Sequence, residues 1–234
     1  MKIVMGIVAA AIAAAVPLAN PALAAPQKRA VATNWSRLVV ATPEGGFRMG
    51  NPKARVKLVE YASLTCPHCR AFALTGVTPL VAQHVRTGKV SYEFRNFVLN
   101  GVDIAVTLVA RCGGARTFFP IVDGLYAAQP TWLGRVTALS EAQNRELESL
   151  PTGARLARVA QAAGILPIAA KHGVTPAAAR RCLADPAALK RVGTMAEAAT
   201  ARGVTATPTF YVNGKAADAR DWESLQPLLK AAGR

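Results

Sequence analysis

Two cysteines enclosing two residues, Cys66-Pro67-His68-Cys69, stand where an apolar run, Val56 to Leu64, gives way to a helical pattern. In the first turn of a helix such a pair can approach closely enough to bond. The first sulfur then faces N–H groups that have no partner within the helix. Those donors, together with the positive end of the helix dipole, stabilise a thiolate, which is the form of cysteine that attacks. Pro67 suits the position because it lacks an N–H that the first turn leaves unpaired, and His68, when protonated, adds positive charge. The chemistry open to the pair is the making and breaking of a disulfide. A structural staple, or half of a zinc site, would use the same spacing.

The elements that must aim this pair come next. Val56-Lys57-Leu58-Val59-Glu60-Tyr61 has the β-branched and apolar character of a buried strand, with Glu60 its anomaly. A carboxylate there fits two places: beneath the second sulfur, where it would help move a proton, or at the strand end turned to solvent. Beyond Cys69 the series Phe72, Leu74, Val77, Leu80, Val81, Val85 is helical, with Gly76 and Pro79 marking a kink or break. Val90 to Phe97 is the next strand. A strand, a helix and a second strand joined in this way form a right-handed crossover with parallel strands.

Around this core, Arg37 to Ala41 and Phe47 to Met49 flank the turn signal Pro43-Glu44-Gly45-Gly46 and suggest a hairpin at a sheet edge. From Val102 to Gly203 the chain is alanine-rich and helical, punctuated by Gly and Pro, without a convincing strand. Its expected pieces are Val102 to Cys112, Arg116 to Ala128, a turn with Trp132, Ser140 to Leu150, Gly153 to Ala163, Thr175 to Ala184 and Pro186 to Arg202. Ser140 with its following acids and Thr175-Pro176 are helix starts. Strand character returns at Pro208 to Val212, then the turn Asn213-Gly214 and Lys215 to Ala217, before a closing helix from Asp221 to Ala232 that contains Pro227.

Cys112 and Cys182 both fall in the helical block and are expected to bridge two helices rather than remain buried free thiols. Such a bridge is worth about 3 to 4 kcal/mol. Zinc held by all four cysteines is disfavoured because the second pair lacks the close spacing of the first, and no metal is expected. His84 and His172 read as surface helix residues, and Phe118, Phe119 and Trp132 as core.

At 234 residues and 52% hydrophobic content the chain can bury a substantial core. Lys2, the apolar run Ile3 to Val16 and Ala22-Leu23-Ala24 form a secretory signal pattern with expected cleavage after Ala24, interrupted too early by Pro17 and Asn20 for a membrane span. Residues 25–34 then read as a mobile leader. Loss of Lys2 lowers the formal charge from +15 to +14, carried largely by scattered arginines. Without a dense basic run interleaved with aromatics, and with an export signal, the excess does not suggest nucleic-acid binding. An even cysteine count in an exported chain favours two pairs in an oxidising compartment.

Cys66-Pro67-His68-Cys69 after a strand, Thr207-Pro208-Thr209 opening a late strand before Asn213-Gly214, and a helical block between them resemble the DsbA-like branch of the thioredoxin superfamily. Val59-Glu60-Tyr61 and Phe210-Tyr211-Val212 add to the likeness. On residue chemistry alone Pro208 has two readings, strand-edge punctuation or a site role. The resemblance implies an α/β architecture, a thioredoxin fold (residues 35–101 and 204–234) split by an inserted all-helical subdomain (102–203). It implies that Pro208 is a cis-proline facing the CxxC, and that the backbone at Thr207 pairs with an extended substrate segment. Thr207 stands where the strongest oxidases of the branch carry valine; its hydroxyl is placed to donate to the Cys66 thiolate or to touch substrate. The implied activity is a periplasmic thiol oxidase whose redox group is the Cys66–Cys69 disulfide, with no further cofactor. Unfolded exported proteins would be its substrates and a DsbB-type membrane protein its re-oxidant. A monomer is expected, since too few residues precede the first strand for a dimerisation domain. An isomerase or reductase, and a redox-inert binding module or chaperone, are the alternatives.

Overall fold

The computed structural model describes Lys2 and residues 33–234. The expected signal segment, its cleavage point and the leader, apart from Thr33 and Asn34, lie outside the described residues. Among those described, no helix is long and apolar enough to cross a membrane.

Among the described residues six strands form one sheet: β1 (Val39–Ala41), β2 (Phe47–Met49), β3 (Val56–Ala62), β4 (Val90–Asn96), β5 (Thr209–Val212) and β6 (Lys215–Ala217). Their spatial order is β1-β2-β4-β3-β5-β6, and only the central β3–β4 pair is parallel. The edge hairpin and the late hairpin both appear where turn residues announce them. At Asn213 and Gly214 φ is 49° and 82°, the left-handed pair that a tight two-residue hairpin requires.

β3 alternates between two packed faces. Val56, Leu58 and Ala62 enter the main core with Glu60 on the same side, whereas Tyr61 packs with Tyr211, Ala199 and Val204 on the other. Both faces are covered, as a parallel strand pair demands. Phe118 extends the first core by stacking on Phe47 and meeting Phe94 edge-on, so the helical block and the sheet share one apolar cluster.

β3 leads into α1 (Pro67–Thr75), which is followed by α2 (Val77–Leu80) and a π-helical turn over Val81–Val85. The break falls at Gly76, where a Cβ would stand 2.6 Å from the Phe72 ring. The tight approach of Phe72 therefore selects glycine. Between β4 and β5 run α3 (Gly101–Arg111), α4 (Phe118–Ala127), α5 (Gln129–Thr137), α6 (Glu141–Ser149), α7 (Thr152–Ala163), α8 (Leu166–Ala170), α9 (Pro176–Ala184) and α10 (Pro186–Ala201); α11 (Trp222–Ala232) closes the chain.

Ser140 caps α6 in a reciprocal capping box with Gln143, and Thr175 caps α9 with Pro176 behind it. The expected turn at Trp132 is instead helix α5. Pro130 occupies its first turn, where a missing N–H costs nothing, and Trp132 is buried with its Nε1 donating to the Leu125 carbonyl. The short α8 carries too few residues for a periodic signal. Pro227 lies within α11. His172 sits half-buried in the turn after α8 rather than on a surface helix, and His84 in the π-helical turn has a buried Nε2 without a hydrogen-bond partner.

Candidate active site

The strand-to-helix junction places both thiols as the spacing requires. Cys66 is the residue before α1, with extended backbone (φ −77°, ψ 125°), and its sulfur accepts from the Cys69 N–H at 3.5 Å. Pro67 is the first helical residue. Both cysteines are free thiols, Cys66 6% exposed and Cys69 fully buried.

The late strand closes the site from the other side. The Thr207–Pro208 peptide is cis, and Cys66 Sγ donates to the Thr207 carbonyl at 3.4 Å. Pro208 is thus a cis-proline beside the CxxC, the geometry that the resemblance implies, and the sheet sets it there by pairing β5 against β3. Thr207 is buried; its side chain also supports the thiolate.

The two sulfurs have opposite electrostatics. Hydrogen bonding from Cys69 lowers the Cys66 thiol to about 5; burial opposes this, while the Thr207 side chain and the backbone N–H groups of Cys69 and His68 assist. Burial pushes the Cys69 thiol well above the ordinary range, helped by its hydrogen bond to Cys66 and, where Glu60 is ionised, by that charge. One sulfur is thus an anion at neutral pH and its partner keeps its proton. The imidazole of His68 is exposed, and the contribution of this residue to the sulfur comes through its main chain rather than its ring.

Glu60 is 1% exposed and turned inward, which excludes the solvent-facing reading. Desolvation raises its carboxyl to about 8, against the hydrogen bond it accepts from the Tyr92 hydroxyl; the negative Cys66 adds to the rise. Glu60 and the buried Cys69 thus disfavour each other's charge, and both are held towards their protonated forms.

Several residues that shape the site were not singled out in the sequence. The loop Ser63–Cys66 is held by side chains from the helical block. The Tyr126 hydroxyl donates to the Ser63 carbonyl at 2.9 Å, and Gln129 Nε2 donates to the carbonyls of Leu64 and Cys66 at 2.8 and 3.1 Å. Asp103, fully buried in the first turn of α3, accepts from the Leu64 N–H through Oδ1 and from the Leu99 N–H through Oδ2, both at 3.0 Å. Asn100 caps α3 by accepting from the Asp103 N–H, and its Nδ2 donates to Thr65 Oγ1 at 3.1 Å. The available signal was the N-cap pattern of an Asn three residues before an Asp at Val102's helix, but nothing local points from it to Cys66.

Away from this site, Cys112 and Cys182 form a disulfide that ties the end of α3 to α9. No cluster of potential metal ligands occurs among the described residues.

The chain matches the Thioredoxin family model over residues 42–231. A protein-disulfide isomerase from Novosphingobium aromaticivorans is 30% identical, with a TM-score of 0.74 over 80% of this chain and 96% of its own. The α-DsbA1 structure from Wolbachia pipientis, at 20% identity, superposes with a TM-score of 0.62 over 85% of this chain and 96% of that one. A Rickettsia bellii protein, provisionally assigned as a protein-disulfide oxidoreductase, is 27% identical over 173 residues, which are 73% of this chain and 58% of the relative. The chain thus spans little more than half the length of that relative. With its CxxC at the start of a helix, a cis-proline opposite and a matching family model across most of its length, the chain belongs to the thioredoxin family and has the fold of its DsbA-like members.

Proposed function

We propose that this protein is a thiol:disulfide oxidoreductase that donates the Cys66–Cys69 disulfide to exported proteins bearing free thiols. The observation that carries the reading is the geometry of the CxxC: Cys66 caps α1 with its sulfur on the Cys69 N–H and the Thr207 carbonyl of the cis peptide, beside a fully buried Cys69, and this arrangement favours a Cys66 thiolate and a protonated Cys69. A substrate thiolate attacks Cys66 Sγ; the Cys66–Cys69 bond breaks, and Cys69 leaves with the electron pair and takes a proton from Glu60. A second substrate thiolate then attacks the substrate sulfur of the mixed disulfide. Cys66 is expelled as a thiolate, the substrate is oxidised by two electrons and the enzyme is left as the dithiol. A stable Cys66 thiolate makes that last departure easy and favours the reduced enzyme, which supports an oxidase.

The setting of this reaction is the periplasm, with a DsbB-type membrane protein returning the dithiol to the disulfide. Cys112–Cys182, a disulfide distant from the site, supports an oxidising compartment. An isomerase is the second reading, favoured by the similarity to the Novosphingobium protein-disulfide isomerase. The two part on redox equilibrium with glutathione. An oxidase lies towards the ~−120 mV of DsbA, whereas a value near thioredoxin's ~−270 mV, with Cys66 reacting with iodoacetamide as an ordinary thiol, overturns the oxidase. Cys66→Ser should abolish oxidation of a reduced, unfolded polypeptide; a redox-inert binding module would keep its ligand.

A further inference from the structure

The helices between β4 and β5 meet the CxxC through the loop that precedes it, and two of their side chains bring opposite electrical character to that loop. Gln129, at the start of α5, spends its amide hydrogens on the carbonyls of Leu64 and of Cys66 itself. Its donor end, the positive end of a neutral dipole, therefore lies beside the residue that bears the reactive sulfur. Asp103 uses one carboxylate oxygen on the Leu64 N–H and the other on the Leu99 N–H, tying the same loop to the entrance of α3. Where ionised it is a charge with no cation paired to it among the described residues, and the residue is fully buried.

We infer that Asp103 and Gln129 are positioning residues for Cys66 that act on its sulfur in opposite senses, Asp103 opposing the thiolate and Gln129 supporting it. The inference rests on the redox reading of Cys66 and deepens it by placing control of the sulfur in the helical block. Burial raises the Asp103 carboxyl to about 6, against the hydrogen bonds from Ser63, Leu99 and Leu64, and the negative Cys66 raises it further. The titratable groups that face this carboxyl are Cys66 from the loop and Tyr126 from α4; Cys69 and Glu60 act on the same cluster through Cys66 and Tyr126. Asp103 passes from neutral to charged about one pH unit above the point at which Cys66 ionises, so the two charges coexist from pH 6 upward. Each charge then resists the other, as reciprocal coupling between two sites requires.

The test follows iodoacetamide reactivity of Cys66 against pH in the reduced full chain and in two near-isosteric variants. Asp103→Asn keeps the acceptor for Leu64 and removes the charge; its Cys66 should reach full reactivity at lower pH, the difference from the parent appearing near pH 6, where Asp103 ionises, and vanishing at pH 4, where Asp103 is already neutral. Gln129→Glu places a carboxylate against two carbonyls and should move Cys66 upward by at least as much. Carboxyl NMR of the unmutated chain gives a second reading that needs no variant to fold: Asp103 should titrate lower in the oxidised protein, which has no thiolate, than in the reduced one. Shifts of the same sign in both variants, or an Asp103 titration indifferent to redox state, overturn the inference while leaving Cys66 acidic and the redox reading intact. A Cys66 of the unmutated chain that titrates as an ordinary thiol overturns the redox reading instead.

Discussion

At the scale of single residues, the site separates two thiols and a carboxyl by environment alone. Cys66 has backbone donors and the Thr207 side chain around it; Cys69 and Glu60 have the apolar core. Glu60 carries a stability signature. Its value in the folded protein, about 8, lies above the ~4.3 of an unfolded chain, so the folded state holds the extra proton between those limits. Stability from this group is present at low pH and is lost as pH rises through about 8. Glu60→Gln removes that loss: urea unfolding of the oxidised variant should show a gain over the parent at pH 8 that shrinks towards pH 5, on the order of 1.4 kcal/mol for each unit crossed. On the proposed mechanism the same variant lacks the acid that protonates Cys69, and its reaction with a thiol substrate should slow roughly tenfold or more; an unchanged rate removes Glu60 from that mechanism.

At the scale of elements, α1 depends on a glycine for its ending as much as on a cysteine for its start. The Phe72 ring fills the space a side chain at position 76 would need. Gly76→Ala should therefore cost ~1 to 3 kcal/mol by overpacking, measured as a lower urea midpoint with an unchanged slope. The elements themselves were largely legible in the sequence, because their signals are local: the CxxC after an apolar run, Asn213-Gly214 for the late hairpin, Ser140 and Thr175-Pro176 as helix starts. Glu60 stayed open because β3 is apolar on both faces, so alternation says nothing about which way its carboxylate turns. Trp132 is expected in a turn, but Pro130 falls in the first turn of α5, where its missing N–H costs nothing and the helix continues through Trp132. Gln129 and Asp103 had no local mark at all. Their role exists only once the fold brings α3 and α5 against the loop before Cys66.

At the scale of the whole molecule, the protein couples redox state to charge. A Cys66 thiolate above pH ~5 means that reduction of the disulfide takes up one proton rather than two at neutral pH. The potential should then fall by about 30 mV per pH unit, half the slope of a dithiol that takes up both, with any excess confined to the pH near 6 and near 8 where Asp103 and Glu60 take up their own redox-linked protons; equilibration with glutathione from pH 5.5 to 8.5 measures it. The second disulfide belongs to this scale as well. Removing it through Cys112→Ala and Cys182→Ala should lower stability by about 3 to 4 kcal/mol, because it closes a long loop between α3 and α9. Iodoacetamide titration of Cys66 in that double variant should be unchanged, since neither cysteine touches the loop at the active site.

The Cys66 sulfur also holds the Cys69 N–H as the cap of α1. The reacting atom is therefore a structural part of the helix that activates it, and every turnover spends it. A thiolate is a strong acceptor for that N–H; a sulfur shared with Cys69 or with a substrate is a poor one. The first turn of α1 should tighten each time the enzyme is reduced and loosen each time it is oxidised. Hydrogen exchange can watch the cycle from this one amide: the Cys69 N–H should exchange more slowly in the dithiol than in the disulfide, at a pH where Cys66 is charged.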